Sequence, residues 1–186
     1  MTKLNLQLQA GINGDFITGQ RLVDELEKET PFCNRAKFNK GWYELRKGNL
    51  LKGHHLLDAG RLENVFGNRH IGSTRPIWNG ETGVTVLLNL EGGLGDQIHG
   101  VRFAKNIADY GNKVIVCCLP ELAELFIDCE GVSAIVQPEA CLGVYHDFWL
   151  PSMSAIVPLK LEWEDLCGKP YIKRKIPSEG KTGVKW

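Results

Sequence analysis

The chain has 186 residues, the length of one large domain or of one domain with a small appendage. Hydrophobic residues make up 43% and charged residues 24%, as in globular proteins, which argues against a disordered chain. Twenty-two basic residues balance twenty-two acidic ones, so net charge supplies no global attraction to nucleic acid or to an anionic membrane. No apolar run reaches the roughly 20 residues of a membrane span.

The first sixty residues are predicted to form helical hairpins. When the chain is shifted by 34 residues, residues 14–19 (GDFITG) lie over residues 48–53 (GNLLKG). A period of 34 residues is that of the tetratricopeptide helix-turn-helix repeat. The first glycine of each block falls where one helix must turn into the next, and the last falls where two helices would cross closely. We therefore expect tetratricopeptide-like repeats over residues 1–61; a generic helical hairpin with glycines placed by chance is the alternative.

These repeats are expected to pack on the domain that follows. Two repeats are fewer than the three that a free-standing array usually needs. Trp42 and Leu45 are therefore predicted to be buried against that domain or the neighbouring repeat, rather than to line an open peptide groove. A connector over residues 62–83 is punctuated by glycine and proline.

From Val84 onward, short apolar runs alternate with segments of helical spacing. This order predicts a parallel sheet wrapped by helices, hence an α/β fold, over residues 84–178. The predicted strands cover residues 84–90, 113–119, 132–136 and 145–150. The predicted helices cover residues 98–110 and 121–129.

A glycine-rich loop, residues 92–96 (GGLGD), follows the first predicted strand. Ligands of such sheets bind beyond the carboxyl ends of the strands, and a helix N-terminus there attracts anions. Asp96 is predicted either to cap the helix, which stabilises by about 1 kcal/mol, or to take a proton from an attacking hydroxyl. His99, one turn further on, could line the same cleft. The residues alone leave both roles of Asp96 open.

Other chemistry is excluded by spacing. A dinucleotide fingerprint starting at Gly93 would need glycine at position 98, which is Ile98. A phosphate-binding loop ending at Thr182 would need glycine at position 175, which is Lys175. None of the six cysteines forms C-x-x-C or a zinc-finger pairing with histidine, so we expect buried, reduced thiols in a cytosolic protein.

Several motifs resemble those of tetratricopeptide-containing glycosyltransferases of the heptosyltransferase-like superfamily. Residues 75–81 (RPIWNGE) and 91–98 (EGGLGDQI) resemble the family's junction, where a W-(D/N)-G-E connector precedes a strand that leads into a G-L-G-D-x-I loop. Residues 39–61 resemble the family's last repeat. Residues 147–158 resemble its P-L-M-S-L-P segment, and residues 169–172 resemble the P-Y-L that closes its first catalytic domain.

The resemblance implies two Rossmann-like domains with a cleft between them. The first domain would hold the acceptor and the second a nucleotide sugar, which is a co-substrate rather than a resident cofactor, and no metal is expected. Asp96 would be the general base. The candidate substrate-binding residues beside it are Gly93, Leu94, Gly95, Gln97 and His99.

The chain departs from the family near its end, where residues 179–186 resemble only the start of the second domain. We therefore expect the acceptor-side half of a glycosyltransferase, active only when a donor-binding domain or chain is supplied. The alternative is a non-catalytic binding or protein-interaction module, with a partner held by the repeat-like helices; a nucleotide-binding regulatory domain is a third hypothesis. Neither nucleic acid nor a membrane is an expected partner, and the N-terminus lacks the apolar core of a signal peptide, so a cytoplasmic location is predicted.

Overall fold

The computed structural model describes residues 2–67, 73–166 and 168–172. Its first part consists of two helical hairpins. The helices are α1 (Lys3–Ile12), α2 (Phe16–Glu29), α3 (Asn34–Arg46) and α4 (Leu50–Leu57), with a 3₁₀ helix over Asp58–Glu63. Helix α1 packs on α2, and α3 packs on α4. The helices expected in this part are thus present, and their identity as tetratricopeptide repeats stays a prediction.

The glycines of the 34-residue repeat occupy the predicted places. Gly14 and Gly48 have φ angles of 76° and 87°, the left-handed conformation that ends the first helix of each hairpin. A Cβ atom on Gly53 would lie 2.5 Å from Cδ2 of Leu45, so α4 could not approach α3 with any larger residue there. A Cβ atom on Gly19 would lie 1.9 Å from the Tyr43 hydroxyl, which places this close contact between the two hairpins.

The second part contains one sheet of four parallel strands. These are β1 (Thr85–Asn89), β2 (Lys113–Cys117), β3 (Val132–Val136) and β4 (Phe148–Pro151), in the order β3-β2-β1-β4. In the centre of the sheet, Leu87 pairs with Ile115 on one side and with Trp149 on the other. The near-continuous apolar runs suit strands that are buried on both faces. The predicted parallel α/β arrangement is confirmed.

The helices of this part are shorter than predicted. They are α5 (Leu94–Gly100), α6 (Phe103–Asp109), α7 (Ala123–Phe126) and α8 (Ile156–Leu159). The single helix expected over residues 98–110 is interrupted because the Ala104 N–H bonds to the carbonyl of Val101, three residues back. The helix expected over residues 121–129 is one turn of α7 after a 3₁₀ turn at Pro120–Leu122.

The fourth strand begins three residues later than predicted. Tyr145 is exposed, and its hydroxyl bonds to Asp147. The next residue, His146, turns inward and bonds to Ser73 across 2.9 Å. The Asp147 N–H bonds to the carbonyl of Thr85, and residue pairing with β1 starts at Phe148, opposite Val86.

The two faces of the sheet are covered differently. The larger core contains Val86 and Leu88 of β1 together with apolar residues from α5, α6, α7 and α8. The opposite face, centred on Leu87, packs against the 3₁₀ turn Cys141–Gly143 and against no α-helix in the described part of the chain. The expectation of a sheet wrapped by helices is therefore correct for one face only, because the described connection from β3 to β4 contains a 3₁₀ turn instead of a helix.

The helical hairpins pack on the α/β part, as expected. Leu50 of α4 belongs to the larger core, and Leu45 packs against it. The prediction that Trp42 is buried is wrong, because its side chain is 50% exposed. Tyr43, the next residue, takes the buried position instead, and Trp42 turns to the outer surface of α3.

Four of the five described cysteines have the expected character, and the fifth, Cys33, is free but only partly buried. Cys117, Cys118, Cys129 and Cys141 are buried and free, and burial raises the pKa of the Cys117 thiol to about 12 and that of Cys118 to about 11. Cys117 and Cys118 belong to the cores on opposite faces of the sheet, as alternation along a strand requires.

Cys167 and residues 179–186, the predicted start of a second domain, lie outside the described residues. No helix in the described ranges has the length and apolar character needed to cross a bilayer.

Candidate functional site

The glycine-rich loop lies at the carboxyl end of β1, where sequence analysis expected it. At the end of β1, the Leu90 N–H donates a hydrogen bond to the carbonyl of Cys117, the last residue of β2. Gly92 then has a φ angle of 74°, and a Cβ atom there would lie 2.5 Å from Oδ2 of Asp96. Glycine is therefore required at this position by both the left-handed backbone and the close approach of the aspartate. Helix α5 begins two residues later.

Asp96 caps this helix and remains exposed. Its Oδ2 atom accepts a hydrogen bond from the Gly93 N–H across 3.0 Å. This is the half of a capping box in which the side chain at position N3 accepts from the backbone of the N-cap residue. The side chain is nevertheless at the surface, so its second oxygen is available to a ligand. Capping and proton acceptance are thus compatible, because one carboxylate carries about four lone-pair sites.

The remaining loop residues divide into exposed and buried ones. Gly93, Leu94 and Gly95 are exposed, and the space around Gly95 is open to beyond 4 Å. Gln97 is only 4% exposed. Its Oε1 atom accepts the Leu119 N–H across 2.9 Å, and its Nε2 atom donates to the carbonyl of Gly92 across 3.4 Å. Gln97 therefore holds the loop against the end of β2, and its side chain amide is already engaged.

His99 lies one turn after Asp96 on α5. Its Nε2 atom is 3.4 Å from Nη1 of Arg102, and its ring meets the Phe103 ring edge to face. Partial burial and the Arg102 charge lower the pKa of His99, and the nearby Asp96 carboxylate opposes them. The net shift favours the neutral imidazole, which accepts a proton or hydrogen bond at neutral pH.

The helical part brings a second histidine to this edge, which sequence analysis missed. Nδ1 of His54, on α4, is buried and has no hydrogen-bond partner within the described residues. The pKa of His54 is lowered, mainly by burial. A hydrogen bond with the Met153 backbone and the charge of Asp58 oppose this shift, whereas the charge of His99 adds to it. The bond with Met153 places His54 beside the turn that follows β4. No pattern in the sequence separates His54 from its neighbour His55.

A buried ion pair supports the loop from below. The Arg61 guanidinium donates to both oxygens of Glu91, across 2.6 Å and 2.8 Å. Glu91 also accepts the Met153 N–H across 3.2 Å, and its own N–H donates to Ser152 Oγ across 3.2 Å. Sequence analysis missed this pair, although Glu91 is a charged residue directly after an apolar strand. A charged residue in such a buried place is almost always paired.

The same network reaches the 3₁₀ helix that follows α4. Arg61 Nε lies 3.2 Å from Asp58 Oδ1 and 3.0 Å from Ser154 Oγ, and the Ser154 hydroxyl also donates to Asp58. Three segments that are far apart in sequence are therefore locked together beneath the site: the end of the helical hairpins, the loop after β1 and the turn after β4.

A different buried polar group lies at the end of β1. Nδ2 of Asn89 is buried without a hydrogen-bond partner in the described part of the molecule.

The described residues contain no cluster of three histidine, cysteine or acidic side chains that would hold a metal ion. The site therefore offers an accessible carboxylate and a neutral imidazole on a rigidly supported loop. That arrangement suits acid–base chemistry on a bound hydroxyl.

No family model, curated protein or solved structure matches the chain. Membership of the heptosyltransferase-like superfamily therefore stays a prediction, and it rests on the motifs quoted above.

Proposed function

We propose that the chain is the acceptor-side half of a glycosyltransferase-like protein and that Asp96 is its general base. The observation that carries the proposal is the exposed carboxylate of Asp96, held by the Gly93 N–H at the carboxyl edge of a parallel sheet. This is the edge at which ligands of such sheets bind.

In the proposed reaction an acceptor hydroxyl attacks the anomeric carbon of a nucleotide sugar. A new carbon–oxygen bond forms, the bond from that carbon to the diphosphate breaks, and the hydroxyl proton moves to Asp96. The nucleotide diphosphate leaves with the electron pair of the broken bond. Gly93 and Gly95 let the acceptor approach the backbone closely, Leu94 and His99 line its site, and Gln97 keeps the loop in place.

The donor requires a second surface. The described residues contain one parallel sheet, and the resemblance places the nucleotide sugar on a second domain. A donor-binding domain or chain is therefore the proposed partner, and the nucleotide sugar is a co-substrate with no resident cofactor needed. Without that partner the reacting groups stay open to water, which weakens each electrostatic contribution to the transition state. A cytoplasmic location belongs to the same proposal.

The test is a sugar-transfer assay with the chain alone, with a donor-binding half added, and with the pair carrying Asp96→Asn. Asparagine keeps the capping ability but removes the basic carboxylate, so we expect turnover by the pair to fall roughly 10²–10⁴-fold. Asp109→Asn, which changes an exposed carboxylate on α6, is the matched control and should leave turnover unchanged. Turnover by the chain alone, or full turnover by Asp96→Asn, would contradict the proposal.

A second candidate function is a protein-interaction module without catalysis. The observation that favours it is the half-exposed ring of Trp42, which lines an open groove between α1 and α3. In that case Asp96 is a helix cap, and Asp96→Asn changes neither partner binding nor the fold.

A further inference from the structure

The groove between α1 and α3 has a volume of about 380 Å³. Its walls carry large apolar side chains that face solvent: Leu8 is 49% exposed, Ile12 71% and Trp42 50%. Exposed apolar groups gathered in one concave place are typical of an interaction site, whereas single ones are ordinary. The groove is separate from the loop that carries Asp96.

Two arginines mark the ends of the groove. Arg35 and Arg46 both line it, and they are eleven residues apart on α3. Eleven residues make about three turns of an α-helix, so both side chains leave the same face, roughly 16 Å apart along the axis. Trp42 lies on that face between them, four residues before Arg46.

Each guanidinium is held by an aromatic ring rather than by a carboxylate. Arg46 Cζ lies 3.2 Å from the centroid of the Phe16 ring, and Arg35 Cζ lies 5.7 Å from that of Phe38. Neither arginine forms an ion pair with a carboxylate of the described residues. The lining contains no acidic side chain at all. The groove therefore presents two oriented positive charges whose hydrogen-bond donors have no carboxylate partner among the described residues.

The floor of the groove is fixed before any ligand arrives. Asn39 Nδ2 donates to Gln7 Oε1 across 2.6 Å, and Gln7 Nε2 donates to the Tyr43 hydroxyl across 3.3 Å. Both amide side chains are buried, so this chain of hydrogen bonds sets the spacing of α1 and α3. A preformed groove spares a ligand the entropic cost of ordering it.

We propose that this groove binds an extended acidic segment of a partner protein. Charge complementarity selects the chemistry, since two unpaired guanidiniums favour two carboxylates. An extended chain advances roughly 3.3 Å per residue, and only alternate side chains point to the same side. Carboxylates four residues apart therefore share one side and are separated by roughly 13 Å, which lets them meet the two long arginine side chains. An apolar side chain midway between them would pack on Trp42. This proposal rests on the second candidate function, partner binding by the helical hairpins, and not on sugar transfer.

The test measures binding of blocked synthetic peptides to the full chain by calorimetry. The first peptide has two glutamates four residues apart with phenylalanine midway, so that all three side chains point to one side of an extended chain. The second has the same composition with the glutamates adjacent, the third has lysine in place of glutamate, and the fourth has glutamine. We expect the first to bind about tenfold more tightly than the second and fourth, with an affinity that falls as salt rises, and the third not to bind.

Variants locate the binding on the groove. Arg35→Gln, Arg46→Gln and Trp42→Ala should each weaken the first peptide about tenfold, since each removes one of three anchors. Arg21→Gln, which changes an exposed arginine on α2 outside the groove, is the control and should bind as the parent does. Far-ultraviolet circular dichroism verifies that each variant is folded.

Several results would overturn the proposal. Equal binding of the first and fourth peptides would show that the groove takes apolar segments regardless of charge. No binding of any peptide, together with self-association that Trp42→Ala abolishes, would assign the groove to a second copy of the chain. No binding and no self-association would remove partner binding by this groove altogether. Sugar transfer, measured separately, is unaffected by any of these outcomes.

Discussion

Arg61 and Glu91 form a bidentate ion pair between the helical hairpins and the loop that carries Asp96. The carboxylate is fully buried and the guanidinium side chain is 11% exposed. Burial lowers the pKa of Arg61, but the hydrogen bonds and charge of Glu91 outweigh it, so the pKa is raised above its usual value. The Arg61 guanidinium therefore stays charged, and its bonds to Glu91 hold the loop in register with the helices.

Breaking this pair should strongly destabilise the protein. We expect Arg61→Met to lower the free energy of unfolding by about 3–5 kcal/mol, because it leaves the Glu91 carboxylate buried without its main partner. The measurement is urea denaturation followed by circular dichroism. Lys105→Met, which breaks the exposed pair with Asp109, is the control and should cost less than about 1 kcal/mol. Equal losses in the two variants would show that the buried pair has no special role.

Two tryptophans should respond in opposite ways to truncation. Trp78 is fully buried, its indole N–H donates to the Glu81 carbonyl across 2.9 Å, and its ring meets Tyr110 edge to face. Trp78→Ala should therefore cost about 3–5 kcal/mol of unfolding free energy. Trp42→Ala should cost less than half as much, because half of the ring already faces solvent. A melting temperature that drops equally in both variants would contradict the exposed placement of Trp42.

The close approach of α3 and α4 should depend on Gly53. In Gly53→Ala the new methyl group would lie 2.6 Å from Leu45 Cγ and 3.1 Å from the Leu45 backbone nitrogen, and no side-chain rotation moves the second of these atoms. Overpacking costs about 1–3 kcal/mol, and the gain in helix propensity of about 1 kcal/mol does not fully offset it. The predicted result is a lower midpoint of urea denaturation. Gly143→Ala has open space around the new methyl group and should leave that midpoint nearly unchanged.

Protonation of His54 should destabilise the folded state. Burial lowers its pKa from the usual 6.5, so the unfolded chain binds this proton more readily than the folded one. The contribution is present above pH 6.5 and is lost as the pH falls through the lower folded pKa. The free energy of unfolding should therefore fall less between pH 7.5 and pH 5 in His54→Gln than in the parent. His55→Gln, an exposed neighbour, should keep the parental pH dependence; a parental slope in His54→Gln would refute the assignment.

The sequence by itself determined the local features of this protein. The 34-residue period located the helical hairpins, because a left-handed glycine and a glycine at a helix crossing are local steric requirements that recur with each hairpin. The buried parallel strands followed from apolar runs that alternate with helical segments. The position of Asp96 followed as well, since a loop after a parallel strand must lie at the carboxyl edge of the sheet.

Only the tertiary structure decided which surfaces meet. Trp42 and Tyr43 are adjacent in α3, and the sequence does not say which of them faces the neighbouring hairpin. The pairing of Arg61 with Glu91 joins positions thirty residues apart. The second face of the sheet is covered by a 3₁₀ turn instead of a helix in the described connection from β3 to β4. Periodicity identifies which side of an element is apolar, but the packing partner of each side chain depends on crossing angles and distances between elements, which are set when the whole chain closes around its core.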